Sequence, residues 1–348
     1  MAAPPKQPTQ KTINLALQGG GSHGAFTWGV LDRLLDEERL IIEGISGTSA
    51  GAMNAAVLAQ GLARNGRIGA KAALDTFWRR VSALSLFSPV RRTLLDVVTG
   101  NWNLDRSPTT MVLDAVQNLF SPYQTNPLDV NPLRDLLAEM VNEKDIQSSA
   151  HVKLFICATN VQTGKPRVFD RHELTVDAVM ASASLPFTFQ ATMIDGVPYW
   201  DGGYMGNPVI WPLIYYCTCP DVALVQINPL IRLETPKTPV EIVNRVNEIG
   251  FNSSLIAEMR AIAFVQKLLT DKLVKPGVEK DLKLMHMHLI EDEGEMRTLG
   301  AASKANAELD FLLFLRDLGQ RTADKWLAAN WDHIGVRTSF DLRAKFLE

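Results

Sequence analysis

Two stretches, Ile13-Asn14-Leu15-Ala16-Leu17-Gln18-Gly19-Gly20-Gly21-Ser22-His23-Gly24 and Leu40-Ile41-Ile42-Glu43-Gly44-Ile45-Ser46-Gly47-Thr48-Ser49-Ala50-Gly51, decide the fold. In the first, an apolar run gives way to three glycines and then to Ala25–Glu37, where Phe26, Val30, Leu31, Leu34 and Leu35 recur at helical spacing. In the second, an isoleucine-rich run ends in a Gly-Ser turn and leads into alanine-rich, helix-compatible sequence from Ala52 to Arg64. Two consecutive strand–turn–helix units predict an α/β fold: a three-layer α/β/α arrangement around a mostly parallel central sheet.

Outward from this core, Lys71 to Asn131 turns irregular, with Pro89, Pro108, Pro122 and Pro127 dividing short apolar segments around Trp78, Phe87, Trp102 and Phe120, as expected of a helical and loop insertion. Regularity returns with strands over His151–Val161 and Val222–Ile227 and a helix over Val176–Leu185. A further strand, Gly196-Val197-Pro198-Tyr199-Trp200-Asp201, ends in the turn Gly202-Gly203. Beyond Pro236 the pattern is mostly helical, with one apolar stripe at Ile242, Val243, Val246 and Ile249, another over Leu309–Leu318, and a strand over Leu282–Ile290. The expected organisation is a disordered tail (1–11), a main α/β domain (12–235, with the insertion at 71–131) and a helical C-terminal extension (236–348) packed on it. That extension suits a cap for the sheet, a dimer surface or a partner site equally, and no oligomeric state is readable.

Composition removes several function classes. With 46% apolar and 21% charged residues among 348, the chain can bury a large core. A net charge of -3 without a long lysine or arginine block gives no electrostatic footprint for nucleic acid. Met1 to Pro8 lacks the apolar segment of a signal peptide, and Ser254–Val265 is interrupted by Glu258 and Arg260. A cytoplasmic protein is expected, with any bilayer contact peripheral. Cys157, Cys217 and Cys219 are read as buried thiols, and His286 and His288, on one face of a strand without a third ligand, as ordinary strand residues. No metal is expected.

The chemistry concentrates at the glycine turns. Gly47-Thr48-Ser49-Ala50-Gly51 fits G-x-S-x-G, in which small neighbours allow a strained strand-to-helix turn that presents the serine hydroxyl. Gly19, Gly20, Gly21, Ser22, His23 and Gly24 leave the neighbouring strand, so their amides can cradle an oxyanion. The same loop satisfies G-x-G-x-x-G, with Glu43 nineteen residues after Gly24, but Glu43 lies inside the second apolar run rather than at its end, which disfavours a dinucleotide site. For a base, His151, His172 and His333 sit in no motif-like setting. Asp201, between a strand and two glycines, can serve directly if shielding from water raises its pKa.

A Gly-rich loop after the first strand, G-x-S-x-G on the second turn and a later Asp-Gly-Gly, flanked by Ala181-Ser182-Ala183-Ser184-Leu185-Pro186-Phe187 and Asn207-Pro208, resemble the patatin-like phospholipases over roughly residues 13 to 230. The resemblance implies a Ser49–Asp201 dyad without histidine. It further implies an oxyanion hole around Gly20, Gly21 and Ser22, no cofactor, and lipid acyl esters of phospholipids, lysophospholipids or neutral lipids as substrates. One departure is His23, where the family usually carries Arg or Lys. The insertion around Leu84, Leu86, Phe87, Val90, Leu94, Leu95 and Trp102 offers apolar surface for acyl chains, a membrane edge or internal packing. Acyl transfer on the same fold, and a non-catalytic lipid-binding scaffold, are the alternatives.

Overall fold

The computed structural model describes residues 10–85, 92, 96, 101, 102, 104, 120–275 and 277–348. The expected tail falls almost wholly, and Leu86, Phe87, Val90, Leu94 and Leu95 of the insertion entirely, outside the described residues. Strands β1 (Lys11–Leu17), β2 (Leu40–Gly47), β3 (Lys153–Asn160), β4 (Pro166–Asp170), β5 (Thr192–Ile194), β6 (Val197–Asp201), β7 (Asp221–Val225) and β8 (His286–Ile290) form one sheet. Its order is β5-β6-β3-β2-β1-β7-β8, with β4 also on β3. The pairs β1–β2, β1–β7, β2–β3 and β7–β8 are parallel, whereas β3–β4, β3–β6 and β5–β6 are antiparallel. A mixed sheet between helical layers is thus the architecture, and of the strand expected over Leu282–Ile290 the structure has His286–Ile290, as the edge strand β8.

Central strand β1 shows why helices must cover both faces. Ile13, Leu15 and Leu17 belong to the larger core, while Ala16 belongs to a second core on the opposite side. The larger core is closed by α1 (Gly24–Asp36), α2 (Ala50–Ser85), α3 (Val176–Ala181) and α5 (Leu309–Asn330), the smaller by Leu213, by Leu255, Met259 and Ile262 of α4 (Pro239–Thr270), and by Phe346. Helix α2 bends at Asn65-Gly66, where Gly66 takes a φ of +56°, and resumes to Ser85. Lys71–Ser85, expected to open the insertion, is therefore the second limb of α2. Trp102 packs inward, stacked on Phe314 at 5.3 Å between ring centroids. The stripe Ile242, Val243, Val246 and Ile249 on the first half of α4 faces outward, whereas Leu255, Met259 and Ile262 on its second half are buried against the sheet.

Helices α1 and α5 approach so closely that a Cβ on Gly319 would overlap the Phe26 carbonyl, and one on Gly29 the Arg316 carbonyl. Gly250 of α4, by contrast, has no atom within 4 Å of such a Cβ. Gly319→Ala is therefore expected to destabilise by about 2 kcal/mol through overpacking, and Gly250→Ala to stabilise by about 0.5–1 kcal/mol through helix propensity. Urea denaturation of the pair checks the contrast, and equal midpoints would contradict it.

Candidate active site

Parallel pairing makes β1 and β2 deliver their following loops to the same sheet edge. Asp201 reaches that edge by a different route. Residues 153–156 of β3 pair with β2, residues 158–160 pair with β6, and β4 holds the other side of β3 over 155–159. Strands β2 and β6 therefore meet end to end along one side of β3, and β6, running antiparallel, stops at Asp201 where β2 stops at Gly47. The junction is tight, since a Cβ on Gly202 would overlap the Cys157 carbonyl and lie 3.1 Å from Thr48 Cγ2.

Ser49 sits on the turn from β2 into α2 with a φ of +54°, a left-handed conformation that a non-glycine residue holds only where its surroundings enforce it. A Cβ on Gly51 would overlap the Leu17 carbonyl, and one on Gly47 would lie 2.6 Å from the Gly51 carbonyl oxygen. The Thr48 hydroxyl donates to the Gly206 carbonyl at 2.6 Å, and the Ser49 amide donates to Ser182 Oγ at 2.8 Å. Ser182, read in the sequence only as part of the approach to Asp201, thus braces the elbow. Helix α2 starts at Ala50, so its positive end lies beside the hydroxyl.

Asp201 is 1% exposed. Burial pushes its carboxyl up from 3.8 to about 7, against the opposing pull of hydrogen bonds from the Gly203 amide and the Ser49 side chain. The Gly203 amide donates to Oδ1 at 2.7 Å. A buried carboxyl at the end of β6, beside the elbow that carries Ser49 and titrating near neutrality, has the proton affinity a general base needs.

The loop after β1 is built from the far side by asparagines and a glutamine. The Gly19 amide donates to Asn207 Oδ1 at 2.6 Å, and the Gly19 carbonyl accepts from Asn228 Nδ2 at 2.7 Å. Gln18 Oε1 accepts the amides of Ile227 and Asn228, both at 2.9 Å. The chain then makes a 3-10 turn over Gly21–His23, in which the His23 amide donates to the Gly20 carbonyl and the Gly24 amide to those of Gly21 and Ser22. The amides of Gly20, Gly21 and Ser22 precede the first bond of this turn and have no acceptor among the described residues. Of the six residues expected to line the hole, these three keep donors free; Gly19, His23 and Gly24 spend theirs holding the loop's shape. The His23 ring is buried against Ser303 Oγ at 2.7 Å, and burial, with Lys304 and Arg232 nearby, keeps its pKa well below the usual histidine range.

Other singled-out residues lie elsewhere. Glu43 accepts from the amides of Thr218 and Cys219 and from Lys153, all within 3.0 Å, so the carboxylate needed for a dinucleotide site is already committed. His286 and His288 share one partner, Asp221, at 3.4 and 2.8 Å. No cluster fit to hold a metal occurs among the described residues, where all three cysteines are free and buried. No helix among the described residues is long and apolar enough to cross a membrane.

The family model described as patatin-like phospholipase matches residues 15–214, which takes in the Gly-rich loop, the Ser49 elbow and the Asp201 turn. The chain belongs to the patatin-like phospholipase family. At family level this supports a lipid acyl hydrolase. Among solved structures, VipD from Legionella pneumophila aligns with a TM-score of 0.38 and 16% identity, covering 92% of this chain and 67% of VipD. A chain of the heterodimeric ExoU–SpcU complex from the type III secretion system of Pseudomonas aeruginosa aligns with a TM-score of 0.32 and 15% identity, covering 95% of this chain and 53% of that one. Membership of the family therefore rests on residues 15–214. No curated protein matches the chain.

Proposed function

We propose that this patatin-like chain is a serine hydrolase that cleaves fatty acyl esters of lipids through Ser49 and Asp201. The observation that carries the reading is the meeting of the Ser49 elbow and the Asp201 turn where β2 and β6 end along β3, with the Asp201 carboxyl buried and its pKa pushed up to about 7. Ser49 Oγ attacks the ester carbonyl carbon as its proton passes to Asp201, and the resulting oxyanion is met by the amides of Gly20, Gly21 and Ser22. Collapse breaks the bond to the alcohol, which leaves with the proton from Asp201 and an acyl group on Ser49. Water then attacks the acyl-enzyme with Asp201 again taking the proton, collapse breaks the acyl–Oγ bond as Asp201 returns that proton to Ser49, and free fatty acid leaves.

The test is a panel of radiolabelled phospholipids, lysophospholipids and triacylglycerols presented to wild type and Ser49→Ala. Wild type is expected to release fatty acid from at least one class and Ser49→Ala none above background. Equal release by both would contradict the serine mechanism, while label recovered in an added lysolipid rather than in free fatty acid would assign acyl transfer.

A further inference from the structure

The Gly-rich loop has a neighbour that chain order does not reveal. Lys304 lies in the 3-10 turn Ala301–Ala305 and meets the loop once directly and once through another side chain. Its carbonyl oxygen would lie 2.5 Å from a Cβ on Gly21, so its backbone packs directly on the turn that carries the free amides. Its ammonium donates to Asn228 Oδ1 at 2.7 Å. The same Asn228 donates through Nδ2 to the Gly19 carbonyl, so Lys304 is one side chain removed from the Gly19–Gly20 peptide. In a trans peptide the N–H points opposite to the C=O, so fixing the Gly19 carbonyl towards Asn228 aims the Gly20 N–H the other way, out of the anchoring side. A cation on Asn228 Oδ1 polarises the amide and strengthens the bond its Nδ2 makes.

We propose that Lys304 is a positioning residue of the oxyanion loop, setting the Gly19–Gly20 peptide through Asn228. This inference rests on the hydrolase reading above. The charge environment supports it. Across from Lys304, Glu248 of α4 is bonded by Arg232 at 2.7 Å and by Arg245 at 3.2 Å, so its negative charge is matched before Lys304 is counted. Burial, with Lys304 and Arg232 nearby, holds the pKa of His23, on the loop itself, well below the usual histidine range. Burial also draws the Lys304 ammonium below the usual lysine range, with Glu248 opposing that shift and Arg232 adding to it.

The test is steady-state hydrolysis of p-nitrophenyl butyrate across pH by wild type, Ser49→Ala, Lys304→Met and Lys304→Arg, each also followed by thermal denaturation. Positioning acts in the transition state, so Lys304→Met is expected to lower kcat about 10- to 100-fold with KM within about threefold. Lys304→Arg is expected to recover most of the loss. Wild-type activity is expected to fall on the alkaline side as Lys304 loses its proton, and this limb is expected to vanish in Lys304→Arg, whose charge does not titrate. An unchanged kcat in folded Lys304→Met, or an alkaline limb that persists in Lys304→Arg, would overturn the inference while leaving the Ser49-dependent activity standing. Should Lys304→Met fail to fold, the alkaline limb of Lys304→Arg alone decides. Wild-type hydrolysis no faster than Ser49→Ala would overturn the hydrolase reading and the inference with it.

Discussion

Asp201→Asn is expected to lower kcat on an activated ester by about 10⁴-fold while making the protein more stable at pH 8. The activity loss follows because an amide cannot accept the serine proton, although its oxygen can still accept the Gly203 amide. The stability gain follows from burial. The carboxyl titrates at about 7 in the folded chain against an ordinary 3.8, so the folded state disfavours the ionised form. Below the ordinary value both states carry the proton and the substitution changes little. Between the two values the cost of ionisation builds with pH, and above about 7 it is fully present, on the order of 4 kcal/mol at most. Urea denaturation of wild type and Asp201→Asn at pH 4, 6 and 8 is expected to show a stability gap that widens with pH. A gap independent of pH would mean that Asp201 is not held in a site hostile to its charge.

Gly19→Ala is the second large effect. A Cβ there would lie 2.6 Å from Ser49 Cβ and 2.7 Å from the Thr48 carbonyl oxygen, so the loop and the elbow must part. Because donors aimed at an oxyanion lose their value within an ångström of displacement, kcat is expected to fall about 10²–10³-fold. Gly164→Ala makes an informative companion: this glycine also has a positive φ, of +65°, but stands in open space away from the site. It is expected to cost stability alone. A Gly19→Ala enzyme with unimpaired kcat would show that the loop does not supply the oxyanion donors.

The parts of this fold that were legible in the sequence are those whose signals are local. The runs at Ile13 and Leu40 and the helical stripes after them belong to single elements, and the structure has β1, α1, β2 and α2 where those patterns lie. Ser49 and Asp201 were legible as types of residue at types of turn. Their meeting depends on β6 pairing antiparallel with the end of β3, a register written in no stretch shorter than the 152 positions between them. The polar scaffold of the loop was harder to see for the same reason. Asn207 and Asn228 stand 188 and 209 positions from Gly19, and neither a lone asparagine nor a lysine in the C-terminal extension carries a periodic signal. The stripe at Ile242, Val243, Val246 and Ile249 shows the opposite limit: periodicity shows that a helix has an apolar face, yet here that face is turned outward.

The central claim is that Asp201 activates Ser49 as a nucleophile, and trapping the acyl-enzyme tests it most directly. Wild type mixed with p-nitrophenyl butyrate, quenched in acid within milliseconds and digested, is expected to yield the peptide containing Ser49 with one butyryl group. The rate of its formation should rise about tenfold per pH unit below 7 and level above, with no such adduct in Asp201→Asn on the same timescale. Acylation of a different residue, or of Ser49 at an equal rate in Asp201→Asn, would contradict the account.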